Sequence, residues 1–244
     1  LIPKEEARRQ IDLYLDLFKK TFPDLSRPRG FFLPEMAYSK DVAKIISEKG
    51  FSWIVLDDVH LGREVDRSIR YKIKSLPLTV LFRNRKVSCH FPPEAIFEFL
   101  NFTSKNINLV TAHDGELYGH WHKDDKGFYQ KAFTHADVEF FLASSFIDSL
   151  TTEEEVTIKE ISWETTKEDE AVGAPYALWQ HPQNEIQNHM WKFADFCLMI
   201  LQEYKDDPSF VKARHKIDRG LTSCAWWWMS GRKIGPISPV SWHP

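Results

Sequence analysis

Apolar residues recur along this chain at two spacings, one typical of helices and one typical of buried strands. In "PKEEARRQIDLYLDLFKKTF" the apolar positions, among them Ile11, Leu15 and Phe18, fall three or four residues apart, with acids early and lysines late. That pattern predicts a helix. The segment "SKDVAKIISEKG" predicts a second helix, because Ser39 can cap its start and Gly50 can follow its end.

Short apolar runs bounded by turn residues predict strands between the helices. The runs are "FFLPE", "FSWIVLDD", "LPLTVLFR", "INLVTAHDGE" and "EVTIKEISW". Further helices are predicted for "PPEAIFEFLNF", for "HADVEFFLASSFIDSL" and for three segments after Asn184, which are "EIQNHMWKFADFCLMILQEY", "SFVKARHKIDRG" and "LTSCAWWWMSG". This order favours an α/β fold, with a parallel, barrel-like unit over residues 1–180 and a C-terminal helical region over residues 181–244.

Charged and aromatic side chains follow each predicted strand. In parallel α/β barrels the chemistry lies at the carboxyl ends of the strands. We therefore expect these side chains to converge on one rim. They are Glu35, Asp57 with Asp58, Arg83, Asp114 and Trp163.

Composition narrows the classes of function. Hydrophobic residues make up 43% and charged residues 27% of the 244 positions, a balance typical of globular proteins. The net charge of -3 provides no basic surface, so we do not expect a nucleic-acid partner. No apolar run approaches the roughly 18 residues of a membrane span, and we expect no signal peptide in these residues. The three cysteines suggest no disulfide framework, so we expect a cytoplasmic protein without membrane contact.

The loop "VTAHDGELYGHWHKD" gathers acids and imidazoles that could serve a metal or a sugar. Two imidazoles and an acid would suffice for a catalytic zinc site, but no "HExxH" or similar spacing is present, so we predict no metal. Splitting a glycosidic bond instead needs two carboxylates. Glu35 and Asp114 are candidates that a closed barrel would bring together, although Glu35 could also simply pair with an arginine such as Arg29.

Two segments resemble glycoside hydrolase family 57, whose members act on α-glucans and related α-linked sugars. "GFFLPEMAYS" is similar to the family's "WLPE.AY"-like motif, which carries the nucleophile and places Glu35 in that role. "TAHDGELYGHWH" is similar to the "D.E.FGHW"-like motif, which carries the general acid/base and places Asp114 there. The resemblance implies a retaining glycosidase or transglycosylase that needs no cofactor.

The resemblance also implies a set of substrate contacts around the two carboxylates. The substrate-contact residues in and around the second motif would bond sugar hydroxyls or stack on a sugar face. The remaining substrate-contact residues lie at strand ends or in the tryptophan-rich "SCAWWWMSG". The candidates are His113, Glu116, His120, Trp121, Asp58, His60, Arg83, Trp163 and Trp227.

The family's "HQP"-type first strand and the glutamate motif that follows it do not occur in these 244 residues. The expected fold is therefore an incomplete (β/α)7-type barrel. A fragment of a longer enzyme, a barrel completed by a separate polypeptide and a shortened, inactive homologue all fit this pattern. We favour the first two, because an incomplete barrel exposes strand edges. A non-catalytic carbohydrate-binding homologue and a metal-dependent polysaccharide deacetylase remain the alternative functions.

Overall fold

The computed structural model describes residues 1–102, 107–120 and 122–231. The chain divides into two compact units, one of residues 2–163 and one of residues 164–244 with Leu1. In chain order the described elements of the first unit are α1 (Lys4–Thr21), β1 (Gly30–Phe32), α2 (Lys40–Glu48), β2 (Trp53–Asp57), β3 (Ile69–Ile73), β4 (Thr79–Arg83), α3 (Arg85–Ser88), α4 (Pro92–Phe102), α5 (Phe128–Thr134), α6 (Ala143–Ser149) and β5 (Thr152–Val156).

The strands form one mixed sheet in the order β1-β2-β4-β3-β5. β1, β2 and β4 run parallel, so their carboxyl ends meet at the same edge, whereas β3 is antiparallel to β4 and β5 is parallel to β3. The chain is therefore a mixed α/β protein with a parallel-rich sheet, which confirms the predicted class.

Local sequence explains the helices that carry this sheet. The Ser39 hydroxyl accepts a hydrogen bond from the Val42 N–H at 3.3 Å and caps α2, as predicted. Gly50 follows the helix with φ of 78°, a left-handed conformation that glycine adopts without steric cost. α2 buries Ile45 and Ile46 in the core of the first unit.

The predicted strand "INLVTAHDGE" is wrong, because residues 107–114 contain no strand. The edge of β4 that such a strand would use is already paired with β3. The segment instead passes the carboxyl end of β4, where the Asn84 N–H donates to the Val110 carbonyl at 2.6 Å. β3 itself was not predicted, although Ile69, Tyr71 and Ile73 alternate with charged residues, a spacing typical of strands.

Two further predictions need correction. The last strand, predicted at "EVTIKEISW", lies earlier, at Thr152–Val156, where Arg70 and Lys72 of β3 pair with Glu153 at 3.0 and 2.5 Å. These cross-strand ion pairs favour a strand in the acidic "TEEEV". The helix predicted for "HADVEFFLASSFIDSL" is confined to α6.

The second unit is helical in its described part, with α7 (Lys167–Ala171), α8 (Glu185–Glu203), α9 (Phe210–Gly220) and α10 (Ser223–Trp228). The last three confirm the helices predicted after Asn184. Trp226 is buried and stacks on Trp191 at 4.4 Å, while Trp228 is 41% exposed, as the 100° step between helical neighbours requires. Among the described residues no helix is long and apolar enough to cross a membrane.

Candidate active site

Glu35 lies directly after β1, in a 3-10 helical turn, Pro34–Met36. Glu35 and Met36 have φ values of 51° and 50°, so both adopt a left-handed backbone conformation. This conformation costs free energy in non-glycine residues, and such strained residues are concentrated at functional sites. One carboxylate oxygen of Glu35 accepts a hydrogen bond from the Trp163 indole N–H at 2.5 Å. Arg29, the alternative partner for this carboxylate, instead forms a bidentate pair with Asp148 at 2.8 and 2.9 Å.

Two arginines hold the Trp163 indole in this position. The guanidinium carbons of Arg83 and Arg85 lie 5.0 and 5.2 Å from the centre of the Trp163 ring, within the range of cation–π attraction. Arg85 also donates a hydrogen bond to the Trp163 carbonyl. The sequence prediction missed Arg85, although it follows Arg83 by two residues beyond the same strand end.

A buried carboxylate anchors both arginines. Asp57, at the end of β2, is fully buried and accepts a hydrogen bond from Arg83 Nε at 2.6 Å, and its other oxygen lies 3.5 Å from Arg85 Nη1. Arg83 Nη1 donates to the Ala112 carbonyl at 2.7 Å, which fixes the segment before Asp114. Arg83 Nη2 is buried without a hydrogen-bond partner in the described part of the chain.

Asp58 lies beside this pair and is less buried. It accepts a hydrogen bond from the Arg85 backbone N–H at 3.3 Å, and Arg67 Nη2 lies 3.5 Å away. Burial, followed by the negative charge of Asp57, raises the pKa of the Asp58 carboxyl.

His60, one of the predicted substrate contacts, is fully buried. Its Nδ1 lies 3.0 Å from the Asp57 carbonyl oxygen, and its Nε2 lies 2.9 Å from the Met36 and 3.1 Å from the Ile161 carbonyl oxygens. Burial lowers the pKa of the His60 ring, while the carbonyl oxygens around it oppose that shift. His60 thus connects the Glu35 turn to β2 and to the segment that leads into Trp163.

The second motif forms a turn rather than a strand end. Asp114 is exposed and precedes a 3-10 helical turn, Gly115–Leu117, and Glu116 and His120 are also exposed. His113 is half-buried, and neither ring nitrogen has a hydrogen-bond partner among the described atoms. Burial lowers the pKa of His113, Asp114 opposes that shift and the nearby Arg83 adds to it. Trp121 lies outside the described residues.

The described part of the chain contains no cluster of three histidine, cysteine, aspartate or glutamate side chains that could hold a metal ion. Trp227 belongs to the second unit, where it is half-buried and its indole N–H has no partner among the described residues. In the first unit Trp163 thus contacts both Glu35 and Arg83, and Arg83 binds the Ala112 carbonyl, two residues before Asp114.

This arrangement defines an α/β protein with a carboxylate-containing site at the carboxyl edge of its parallel strands. The family model for glycosyl hydrolase family 57 matches residues 1–159, and the chain belongs to this family. The family predicted from the two motifs is confirmed.

Solved structures show the same fold at low sequence identity. A GH57 branching enzyme from Thermococcus kodakaraensis is 16% identical, with a TM-score of 0.69, over 94% of this chain and 59% of its own. A 4-alpha-glucanotransferase from Thermococcus litoralis is 20% identical, with a TM-score of 0.57, over 87% of this chain and 34% of its own. A GH57-type branching enzyme from Pyrococcus horikoshii is 15% identical, with a TM-score of 0.52, over 95% of this chain and 60% of its own. The chain thus spans about a third to three fifths of the length of these proteins, and no curated protein sequence matches it.

Proposed function

We propose that this chain carries both catalytic carboxylates of a retaining glycoside hydrolase or transglycosylase that acts on α-linked glucans. The observation that carries the proposal is the hydrogen bond from the Trp163 indole to Glu35, on a backbone held in a left-handed conformation. Family membership supports the reaction class. The names of two structural neighbours, a branching enzyme and a 4-alpha-glucanotransferase, support the substrate class.

In this mechanism Glu35 attacks the anomeric carbon while Asp114 gives its proton to the departing glycosidic oxygen. A covalent glycosyl–Glu35 ester results. Asp114 then removes a proton from water or from a sugar hydroxyl, whose oxygen attacks the anomeric carbon and releases Glu35. Retaining enzymes hold the two carboxyl groups about 5–5.5 Å apart, so we expect that separation when substrate is bound.

The other side chains have simpler roles. The Trp163 N–H donates a hydrogen bond to the Glu35 carboxylate and fixes its orientation. We assign Arg83 and His113 to sugar hydroxyls as well; Arg83 Nη2 and the His113 ring nitrogens are buried without partners among the described residues, so this contact requires the two side chains to become exposed when substrate binds. We assign further substrate contacts to Asp58, Glu116, His120, Trp121 and Trp227. His60 acts by positioning the Glu35 turn.

We propose that the sheet is part of an incomplete (β/α)7-type barrel, formed by residues 1–180 and followed by a helical region of residues 181–244. β1 is an edge strand that pairs only with β2 among the described strands, and Phe32 on it is 52% exposed. Further parallel strands, from a longer chain or a separate polypeptide, would pair with this edge.

The test measures hydrolysis and transfer on aryl α-maltosides and on starch. Glu35→Gln and Asp114→Asn should each lower kcat/KM by about 10²–10⁴-fold while circular dichroism stays unchanged. Asp125→Asn is the matched control, because this exposed carboxylate lies in the same loop and has no assigned role. Full activity in Glu35→Gln would refute the nucleophile assignment.

The alternatives predict other results in the same assays. A deacetylase would release acetate from an acetylated polysaccharide and lose activity with a chelator. A carbohydrate-binding homologue would bind glucan, and neither wild type nor variants would cleave or transfer it, even with an added polypeptide that completes the barrel.

A further inference from the structure

A row of aromatic rings leads away from the candidate active site. Successive ring centroids are 5.0, 5.2, 4.9 and 4.2 Å apart. The first ring is the residue before Asp114, so the row begins at the proposed acid/base. In order, the rings belong to His113, Tyr118, Tyr129, Phe133 and Phe140.

The four rings beyond His113 are exposed. Tyr118, Tyr129, Phe133 and Phe140 retain 41%, 48%, 54% and 49% of their accessible surface. Single exposed rings are common on proteins, but contiguous apolar patches mark binding surfaces.

Packing of α5 does not account for this exposure. The helix faces α4 with Ala132, which is buried, and with Phe128, whose ring lies 5.7 Å from that of Phe97. Tyr129 and Phe133 are one turn apart on a neighbouring face of the helix, and their rings are exposed. The fold would therefore tolerate polar residues at these two positions.

The row is also locally ordered. The Asp124 carboxylate accepts hydrogen bonds from the Phe128 and Tyr129 N–H groups at 2.8 and 2.7 Å, which fixes the start of α5. At the far end the rings of Phe133 and Phe140 stack with their planes 10° apart. Rings that are already held in place lose little conformational entropy when a ligand binds.

We propose that this aromatic row, His113 to Phe140, binds additional sugar units of a glucan chain whose scissile bond lies at Asp114. The inference rests on the proposed function, because it takes its ligand from that reaction. The C–H faces of a sugar ring pack on aromatic faces, and the hydroxyls of Tyr118 and Tyr129 can bond sugar hydroxyls. Continuity with the site and this mixture of apolar faces and polar edges favour a glucan over a lipid surface.

The test measures the affinity of malto-oligosaccharides of increasing length by calorimetry, with Glu35→Gln in every protein so that no ligand is consumed. Affinity should rise with ligand length. Tyr129→Ala/Phe133→Ala should weaken binding of the long ligands by about tenfold or more and leave maltose binding within about twofold. Tyr14→Ala/Phe22→Ala is the matched control, since both of its rings are 48% exposed on or beside α1.

Unchanged long-chain affinity in the Tyr129→Ala/Phe133→Ala protein, or an equal loss in the control, would overturn the inference. The inference would also be overturned if Tyr129→Ala/Phe133→Ala converted a dimer to a monomer without changing glucan affinity, because the row would then bind a second copy of the chain. If the double variant unfolds, Tyr129→Gln and Phe133→Gln are measured singly, and the same criteria apply. The proposed function is judged separately, by cleavage of aryl maltosides in wild type, Glu35→Gln and Asp114→Asn.

Discussion

The Asp57–Arg83 pair should be essential for the stability of the first unit. Asp57 is fully buried and Arg83 is 5% exposed, and Arg83 Nε lies 2.6 Å from Asp57 Oδ2. Asp57→Asn keeps the shape of the side chain and the oxygen that accepts the Val59 N–H, but it removes the charge. Arg83 then remains buried without a counter-ion while its Nη2 already has no partner among the described residues.

Removing one partner of a buried ion pair costs about 3–5 kcal/mol, because the remaining charge is left uncompensated. With a urea m-value of about 2 kcal/mol/M, the unfolding midpoint should fall by roughly 1.5–2.5 M. Asp148→Asn is the matched control: it breaks the bidentate pair with Arg29, but these side chains are 55% and 51% exposed and solvent screens their charges.

The assay is urea unfolding of the whole chain, followed by near-ultraviolet circular dichroism and tryptophan fluorescence. Asp148→Asn should move the midpoint by a small fraction of the shift in Asp57→Asn. Similar shifts in the two variants would refute the reasoning, since burial would then not determine the contribution of the pair.

Three further perturbations should affect stability in different ways. The pKa of Asp58 is higher in the folded protein than in the unfolded chain, so ionisation of this carboxyl destabilises the fold. The penalty disappears as the pH falls through the raised pKa. Asp58→Asn should therefore raise Tm at about pH 7 and change it little at about pH 3. His60→Ala should cost about 2–4 kcal/mol in chemical denaturation, because a cavity and unpaired carbonyls replace the ring. Gly30→Ala should lower the free energy of unfolding by about 1–3 kcal/mol, because the new Cβ would lie 2.1 Å from the Trp53 ring. Gly115→Ala is the control in the same denaturation assay: its Cβ would meet nothing within 4 Å, and its stability should be nearly unchanged.

Local pattern was enough to predict the elements whose stability is local. The spacing of Ile11, Leu15 and Phe18 marks α1, and Ser39 marks the start of α2. The run "FSWIVLDD" marks β2, since both faces of that strand are covered and its apolar residues are continuous. Each of these signals lies within a few residues of the element that it predicts.

Pairing between distant segments could not be predicted in the same way. β3 pairs with β4 through Tyr71 and Lys72, and this pairing takes the edge that "INLVTAHDGE" would have needed. An apolar run shows that a segment can form a strand, but it does not show whether a neighbouring edge is free.

The candidate site depends on both kinds of information. The strand-end rule grouped Glu35, Arg83 and Trp163, and Trp163 contacts both of the others, yet Trp163 follows no strand directly. Its position comes from contacts 78 or more residues apart in sequence: Arg85 donates to the Trp163 carbonyl, the buried His60 ring reaches the Ile161 carbonyl, and the Trp163 indole reaches Glu35. Because these contacts connect the candidate nucleophile to the interior of the first unit, a substitution at His60 should alter catalysis through the orientation of Glu35, even though His60 is too buried to touch a substrate.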